Sequence, residues 1–271
     1  MPVAIRTPIR RLSQAEFGDL AYAVMNCIFE VHSELGRFFD EKIYKSEIAH
    51  RVPEAQLEVP IEIRHGCFCK ELFLDFMVAS GAVFEFKTAK CLTPRHRAQL
   101  LHYLLLADLA HGKLVNLRPE KVEHEFVNTT LTHRDRVNFE IETNGWNEHT
   151  PGAGHFRETL TGLLRDWGAG LDLQLYEEAM THLLGGGVAD VEVRTPDHLL
   201  GHQKMRLAAP GVAFKLTALD ATGSAFESHT RRLLQHLDLK TILWANVGLK
   251  RLTFTTIESA RPKTEKWGTE K

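Results

Sequence analysis

The first half of the chain shows two kinds of hydrophobic spacing, one helical and one alternating. Apolar residues from Phe17 to Val31 recur at helical intervals behind a capping box of Ser13 and Glu16, and Gly36 is placed to end this helix. Alternating and β-branched stretches then predict strands, followed by a helix with a long leucine face. The predicted order is helix, helix, three strands, helix and two strands, over about 13–36, 40–51, 57–64, 71–79, 82–87, 95–109, 113–117 and 122–127.

The periodicity is lost over residues 144–154, which are dense in turn-forming residues and are predicted to be a linker. Beyond it, short blocks of the second half align with blocks of the first half in the same order and at nearly equal spacing. This indicates an internal duplication, with two unrelated α/β units of similar periodicity as the alternative. The aligned blocks are 43–50 with 175–182, 81–89 with 211–219, 98–104 with 231–237 and 113–117 with 243–247. The predicted parts are a first domain over 1–145, a second domain over 153–259 and a polar tail over 260–271.

Composition narrows the classes of function. The 33 Lys and Arg residues are balanced by 35 Asp and Glu residues, so a site that binds nucleic acid through its phosphates would have to be a local patch. No apolar stretch is long enough to cross a membrane, and the first ten residues lack the apolar core of a signal peptide. The cysteines (Cys27, Cys67, Cys69 and Cys91) have the spacing of neither a disulfide framework nor a zinc site. We therefore expect a cytoplasmic protein with free thiols and no membrane partner; composition leaves its oligomeric state open.

Acidic residues inside two neighbouring strands are the strongest candidates for chemistry. Glu85 and Lys87 lie two apart on one strand and share a face, and the turn before that strand brings Asp75 near them. Carboxylates flanked by apolar residues are costly unless they have partners. Two carboxylates and a lysine could bind Mg²⁺ or Mn²⁺, which activates water and neutralises phosphate charge. The alternative is an ordinary salt bridge between Glu85 and Lys87 on a solvent-exposed face.

The neighbouring helices add polar residues to these strands. Gln99 and Tyr103 lie four apart on one helical face, and Glu41 lies three residues before Tyr44 on the second helix. Taken in order, these blocks resemble the GxxExxY family of the PD-(D/E)xK nuclease-like superfamily, over roughly residues 15–130. The blocks are Gly36 with Glu41-Lys-Ile-Tyr44, Leu74-Asp75, Glu85-Phe86-Lys87, Leu92-Thr93-Pro94, Ala98-Gln99-Leu100-Leu101 with Tyr103-Leu104, and Leu114-Val115-Asn116.

The resemblance implies a mixed central sheet flanked by helices and a metal-dependent phosphodiesterase core. The implied catalytic residues are Glu41, Asp75, Glu85, Lys87, Gln99 and Tyr103, with Asp75, Glu85 and Glu41 as the metal ligands. A basic run after the Glu-x-Lys strand is expected to contact phosphates, with an ordinary solvated helix start as the alternative. This run consists of Lys90, Arg95, His96 and Arg97. The chain departs from the family where Phe38 replaces a second glycine and where a different segment fills 61–72.

The second half keeps the apolar frame but loses every candidate ligand. The aligned positions hold Leu173, Met205, Lys215, Thr217, Arg232 and His236, from which no magnesium site can be built. The sequence therefore predicts an α/β protein of tandem PD-(D/E)xK restriction-endonuclease-like domains. The first would be a nuclease that cleaves nucleic acid, with DNA favoured over RNA, and the second a catalytically dead copy. The alternative is a non-catalytic nucleic-acid-binding or scaffold protein built from two nuclease-like domains.

Overall fold

The chain was analysed as a computed structural model, which describes residues 2–220 and 223–259. The predicted polar tail over 260–271 lies outside the described residues. The chain divides into two compact units, of which the first comprises the residues up to Val137 with Asp166–Asp172, and the second Asn138–Arg165 with the chain from Leu173. Among the helices of the described part, none has the length and apolar character needed to cross a membrane.

The first unit is a six-stranded sheet covered by helices. Its elements are β1 (Val3–Ile5), α1 (Gln14–Leu35), α2 (Glu41–Arg51), β2 (Ala55–His65), β3 (Phe68–Val78), β4 (Ala82–Lys87), α3 (Pro94–Ala107), β5 (His111–Asn116), β6 (Glu123–Asn128) and α4 (His133–Arg136). The strands lie in the order β1-β2-β3-β4-β5-β6. All neighbours are antiparallel except β4 and β5, which are parallel and are joined through α3.

Local sequence signals explain where the helices of this unit begin and end. The predicted capping box is confirmed, because Ser13 and Glu16 each accept a hydrogen bond from the other's backbone N–H at the start of α1. Gly36 follows the last residue of α1 with a φ of 72°, a conformation that glycine adopts without steric cost. Pro94 at the first position of α3 needs no hydrogen-bond partner for its nitrogen.

The two faces of the first sheet are covered by different helices. Phe84 and Phe86 on one face pack in a core with residues of α1 and α2. Alternation places Val83 and Glu85 on the opposite face, where α3 lies close enough that Leu100 contacts the backbone at Gly112, the partner of Val83. The candidate carboxylate Glu85 therefore faces α3.

The second unit has the same succession of elements. They are β7 (Glu140–Glu142), α5 (Ala153–Trp167), α6 (Leu173–Leu184), β8 (Val188–Arg194), β9 (Leu199–Ala209), β10 (Val212–Thr217), α7 (Ser224–His236), β11 (Thr241–Val247) and β12 (Arg251–Glu258). The strands β8 to β12 lie side by side in chain order, and only β10 and β11 among them are parallel, as β4 and β5 are in the first sheet. The extra strand differs, because β1 pairs with β2 whereas β7 pairs with β12.

An asparagine, buried in the first unit and partly exposed in the second, repeats between the two units at one of the aligned positions. The Asn116 side chain, at the end of β5, accepts a hydrogen bond from the backbone N–H of Ala89 at 3.0 Å and donates to its carbonyl at 2.8 Å. Asn246, at the end of β11, makes the same two bonds to Leu219, at 2.8 and 3.0 Å. Asn116 thus fixes the loop after β4, the strand that carries the Glu-x-Lys motif, and Asn246 fixes the loop after β10, the corresponding strand. This shared detail supports the predicted duplication, which stays a prediction, as do the predicted domain limits.

The elements predicted from sequence are present, with differences at their ends. The strands predicted over 57–64 and 71–79 are longer in the structure, where β2 ends at His65 and β3 begins at Phe68. Both extend to the turn at Gly66 because they form one continuous hairpin. The strands β1 and β7 and the short helix α4 were not predicted. Each is too short to show a hydrophobic period.

We expect Asn116→Ala to lower the free energy of unfolding by about 2–4 kcal/mol, because Asn116 is fully buried and its loss leaves the half-buried backbone groups of Ala89 without these partners. Asn246→Ala should cost only about 1 kcal/mol, since Asn246 is partly exposed and water can replace its bonds. Denaturant unfolding of both variants measures this difference. Equal losses would show that burial does not set the cost.

Candidate active site

The candidate site forms where strands β3 and β4 separate. Their ladder runs up to the Phe76–Phe84 pair and then stops. Just beyond it, the Asp75 carboxylate accepts a hydrogen bond from the backbone N–H of Phe86 at 3.3 Å. A side chain thus takes the place of the next backbone pairing and holds Asp75 against the strand that carries Glu85.

Glu85 and Lys87 form a close ion pair, with 2.5 Å between Glu85 Oε1 and Lys87 Nζ. Glu85 is only 1% exposed, and its second oxygen, Oε2, is buried without a hydrogen-bond partner. The Glu85–Lys87 salt bridge, which the sequence analysis gave as the alternative to a metal site, is therefore present, but it is not on a solvent-exposed face. A buried carboxylate oxygen without a partner is costly, so it marks a position where a donor or a cation would stabilise the fold.

The carboxyl groups of this site titrate abnormally. Burial and the negative charge of Asp75 together raise the pKa of Glu85 to about 7, although Lys87 opposes the rise. Burial and Asp75 also raise the pKa of Glu41 above its ordinary value. Both shifts have the same origin, which is negative charge held close together away from water.

A lysine that sequence reasoning missed lies among these carboxylates. Lys45 Nζ is 3.1 Å from Asp75 Oδ1 and 3.6 Å from Glu41 Oε1. Burial alone would lower the pKa of Lys45, but hydrogen bonds to Glu58 and Asp75 outweigh it, and the pKa lies above its ordinary value. The sequence did contain a signal, because Lys45 follows Tyr44 on the inward face of α2, where a charged residue needs buried partners.

Glu58, the third partner of Lys45, has an unusual backbone conformation. Its φ is 50°, in the left-handed region that non-glycine residues rarely adopt, and its carboxylate lies 2.7 Å from Lys45 Nζ. It falls between the Leu57–Phe76 and Val59–Leu74 pairs of the β2–β3 ladder, opposite Asp75. Strained positions of this kind cluster at functional sites, so Glu58 belongs to the candidate site.

Helix α3 adds Gln99 and Tyr103. Burial raises the pKa of Tyr103 and the charge of Glu85 raises it further, whereas a hydrogen bond with Gln99 opposes the rise. The influence of Glu85 on Tyr103 is consistent with both lying on the α3 side of the sheet. The structure therefore brings together all six residues that the family resemblance implied as catalytic.

The basic run after β4 divides into two groups. Arg97 makes an ion pair with Glu125 at 2.5 Å, and His96 accepts a hydrogen bond from the backbone N–H of Thr93 at the start of α3. Burial and the neighbouring charges of Lys87 and Arg95 lower the pKa of His96. Lys90 and Arg95 are exposed. Arg97 and His96 therefore have local structural partners, and Lys90 and Arg95 have the freedom to meet a phosphate.

The predicted metal ligands do not form a ready-made set of three. Across residues 2–220 and 223–259, no group of three or more His, Cys, Asp and Glu side chains is arranged to hold a metal ion. Glu41 is directed towards Lys45 instead. Asp75 and Glu85 still fit a hard cation, since both supply carboxylate oxygens and Glu85 Oε2 has no other partner.

The corresponding positions of the second unit carry the opposite charges. Tyr44 aligns with Tyr176, so Lys45 aligns with Glu177, and Lys215 occupies the place of Glu85 on β10. The carboxylate of Glu177 lies 3.3 Å from Arg206 and 4.0 Å from Lys215. The helix therefore provides the anion and the strands the cations, which is the reverse of the first unit and repels a metal ion.

The remaining aligned positions of the second unit follow the same trend. Met205 and Thr217, in place of Asp75 and Lys87, are buried. Thr217 donates a hydrogen bond to Asn246 and accepts one from the indole of Trp244, so its hydroxyl is used within the unit. The other aligned residues are Leu173, Arg232 and His236.

We expect the affinity for a divalent cation to rise about tenfold between pH 6 and pH 8. A cation binds the ionised form of Glu85, whose pKa of about 7 leaves it about nine-tenths protonated at pH 6 and about one-tenth at pH 8. Calorimetric titration with Mn²⁺ in buffers of different ionisation enthalpy should detect nearly one proton released per ion at pH 6. The same titration of Asp75→Asn should show much weaker binding. An affinity that does not change with pH would contradict the assignment to Glu85.

Comparison with known proteins agrees with the superfamily indicated by the sequence. Residues 18–129 match the PD-(D/E)XK nuclease superfamily. A solved structure described as the crystal structure of SSO0001 shares 22% identity over 45% of this chain and 61% of that chain, with a TM-score of 0.26, which is too low to relate the two folds. Curated proteins give no significant match. The matched region contains every residue implied as catalytic, so the candidate site lies wholly within the part of the chain that resembles this nuclease superfamily.

Proposed function

We propose that the first unit is a metal-dependent phosphodiesterase that cleaves nucleic acid, with DNA favoured over RNA. The observation that carries this proposal is the convergence of Asp75, Glu85 and Lys87 around a buried carboxylate oxygen without a partner. The ion pair with Lys87 uses only one oxygen of Glu85, which leaves the other for a cation. The match of residues 18–129 to a nuclease superfamily supports the same reaction.

Asp75 and Glu85 would hold the cation, which is Mg²⁺ or Mn²⁺ by the oxygen character of these ligands. When bound, it supplies positive charge that lowers the pKa of water and neutralises phosphate. The need for it follows from the charges present, because Glu41, Asp75 and Glu85 together exceed the positive charge of Lys45 and Lys87.

Hydrolysis forms a bond from a water oxygen to phosphorus and breaks the bond to one nucleotide oxygen. One proton leaves the water, and one reaches the departing oxygen. Lys87 is held by Glu85 where its ammonium group can stabilise the negative charge that develops on the phosphate. Gln99 and Tyr103 on α3 would orient the substrate, and the hydrogen bond from Lys45 holds the Asp75 carboxylate in place.

The second unit is proposed to be a catalytically dead copy. It repeats the strand order and the asparagine contact of the first unit, but Lys215 and Glu177 reverse the charges that a cation requires. Its role would be structural or in binding.

Lys87→Ala should reduce cleavage by about 10²–10³-fold, because it removes a charge that acts on the transition state. The assay uses single-stranded, duplex and structured DNA and RNA with Mg²⁺ or Mn²⁺. The free energy of unfolding should fall by about 1–3 kcal/mol, because Glu85 is left buried without its ion-pair partner. Cleavage is therefore compared under conditions where unfolding measurements show both proteins to be folded.

Lys215→Ala is the matched control for this experiment. It removes a lysine at the corresponding strand of the second unit and should leave the cleavage rate almost unchanged. If wild type cleaves none of the substrates, or if both variants behave alike, the non-catalytic binding or scaffold function replaces the nuclease.

A further inference from the structure

Three phenylalanine rings are exposed around the candidate site, although exposed side chains of this size are costly in water. Phe38 is 77% exposed, Phe39 46% and Phe73 41%. We call these three residues the aromatic rim. None of them belongs to the buried core of the first unit, so their retention at the surface calls for a binding partner.

Chain connectivity places Phe38 and Phe39 beside the catalytic residues. They lie between α1 and α2, two or three residues before Glu41, which is the first residue of α2. This segment is anchored, because the Tyr44 hydroxyl donates to the Gly36 carbonyl at 2.7 Å and accepts from the Phe39 backbone N–H at 3.3 Å. The rings are therefore presented by a fixed segment.

Strand alternation places Phe73 on the other side of the same site. It lies two residues before Asp75 on β3, so both side chains leave the same face of the strand, about 7 Å apart along it. Asp75 in turn contacts Lys45 of α2. The rim therefore borders the carboxylate cluster from both the helix and the strand.

The charge balance of the protein favours aromatic contacts over phosphate contacts. With 33 basic against 35 acidic residues, the chain has little surplus positive charge to neutralise a nucleic-acid backbone. Stacking of bases on aromatic rings is the other main source of affinity for nucleic acid, and it is independent of net charge. Arg37 lies over the Phe38 ring at 5.0 Å from its centre, and such a pair presents a flat, cationic surface that suits a base.

We propose that the aromatic rim binds unpaired bases, and that the substrate of the site is single-stranded or locally unpaired nucleic acid. This inference rests on the proposed function and names its substrate class. Base faces in a duplex are covered by their neighbours, so only unpaired bases can lie on these rings.

The test is a binding measurement that does not depend on cleavage. Fluorescence anisotropy in EDTA follows the full chain binding to labelled oligothymidylate of about 20 nucleotides, to a duplex of equal length, and to an abasic strand with the same phosphates. Wild type should bind oligothymidylate at least about tenfold more tightly than the other two. Phe38→Ala and Phe73→Ala should each weaken that binding by about 5- to 150-fold, whereas Phe38→Trp should retain it.

Tyr22→Ala is the matched control, because Tyr22 is 72% exposed on α1 and lies about 20 Å along the helix from its end at Leu35, where the rim segment begins. It should bind as wild type does. Binding of the abasic strand or the duplex as tightly as oligothymidylate would overturn the proposal, and so would unchanged affinity in both rim variants. Unchanged affinity in both rim variants is the result expected if the rings bind a protein partner instead of bases. Rim-dependent binding without any cleavage would leave the inference standing and refute the nuclease, whereas rim-independent cleavage of duplexes would do the reverse.

Discussion

The arrangement of the first unit depends on holding Asp75 and Glu85 close together in a sheet that excludes water. Two carboxylates in such a place repel each other and lose hydration, which is why burial and Asp75 together raise the pKa of Glu85 to about 7. Several neighbouring groups offset the free-energy cost of burying these carboxylates. The β3–β4 ladder opens so that a backbone N–H can meet Asp75, Lys87 pairs with Glu85, and Lys45 reaches in from α2.

Much of this fold could be predicted from the sequence because its signals are local. The capping box of α1, the hydrophobic period of α3 and the alternating strands each depend on residues close in the chain. Strand spacing and the turn before β4 predicted that Asp75, Glu85 and Lys87 lie close together, and the resemblance to a nuclease family gave that group a catalytic role. Spacing alone would have favoured an ordinary surface salt bridge between Glu85 and Lys87.

What the sequence did not reveal depends on contacts between distant segments. Lys45 meets Asp75 and Glu58 only when α2 lies against the β2–β3 hairpin. Its position after Tyr44 indicates that it needs buried partners but does not identify them. The left-handed backbone at Glu58 could not be predicted, because glycine, the residue that usually marks this conformation, is absent from that position. The prediction of Glu41 as a metal ligand did not take account of its ion pair with Lys45, which lies one turn away on the same helix.

The charge reversal in the second unit has an evolutionary consequence. To pass between the two arrangements, the helix position held by Lys45 or Glu177 and the strand position held by Glu85 or Lys215 must both change sign. In the second unit, where Glu177 lies 4.0 Å from Lys215, either change made first would place like charges side by side, which is unfavourable. A single substitution at either position therefore would not restore a cation site to the second unit.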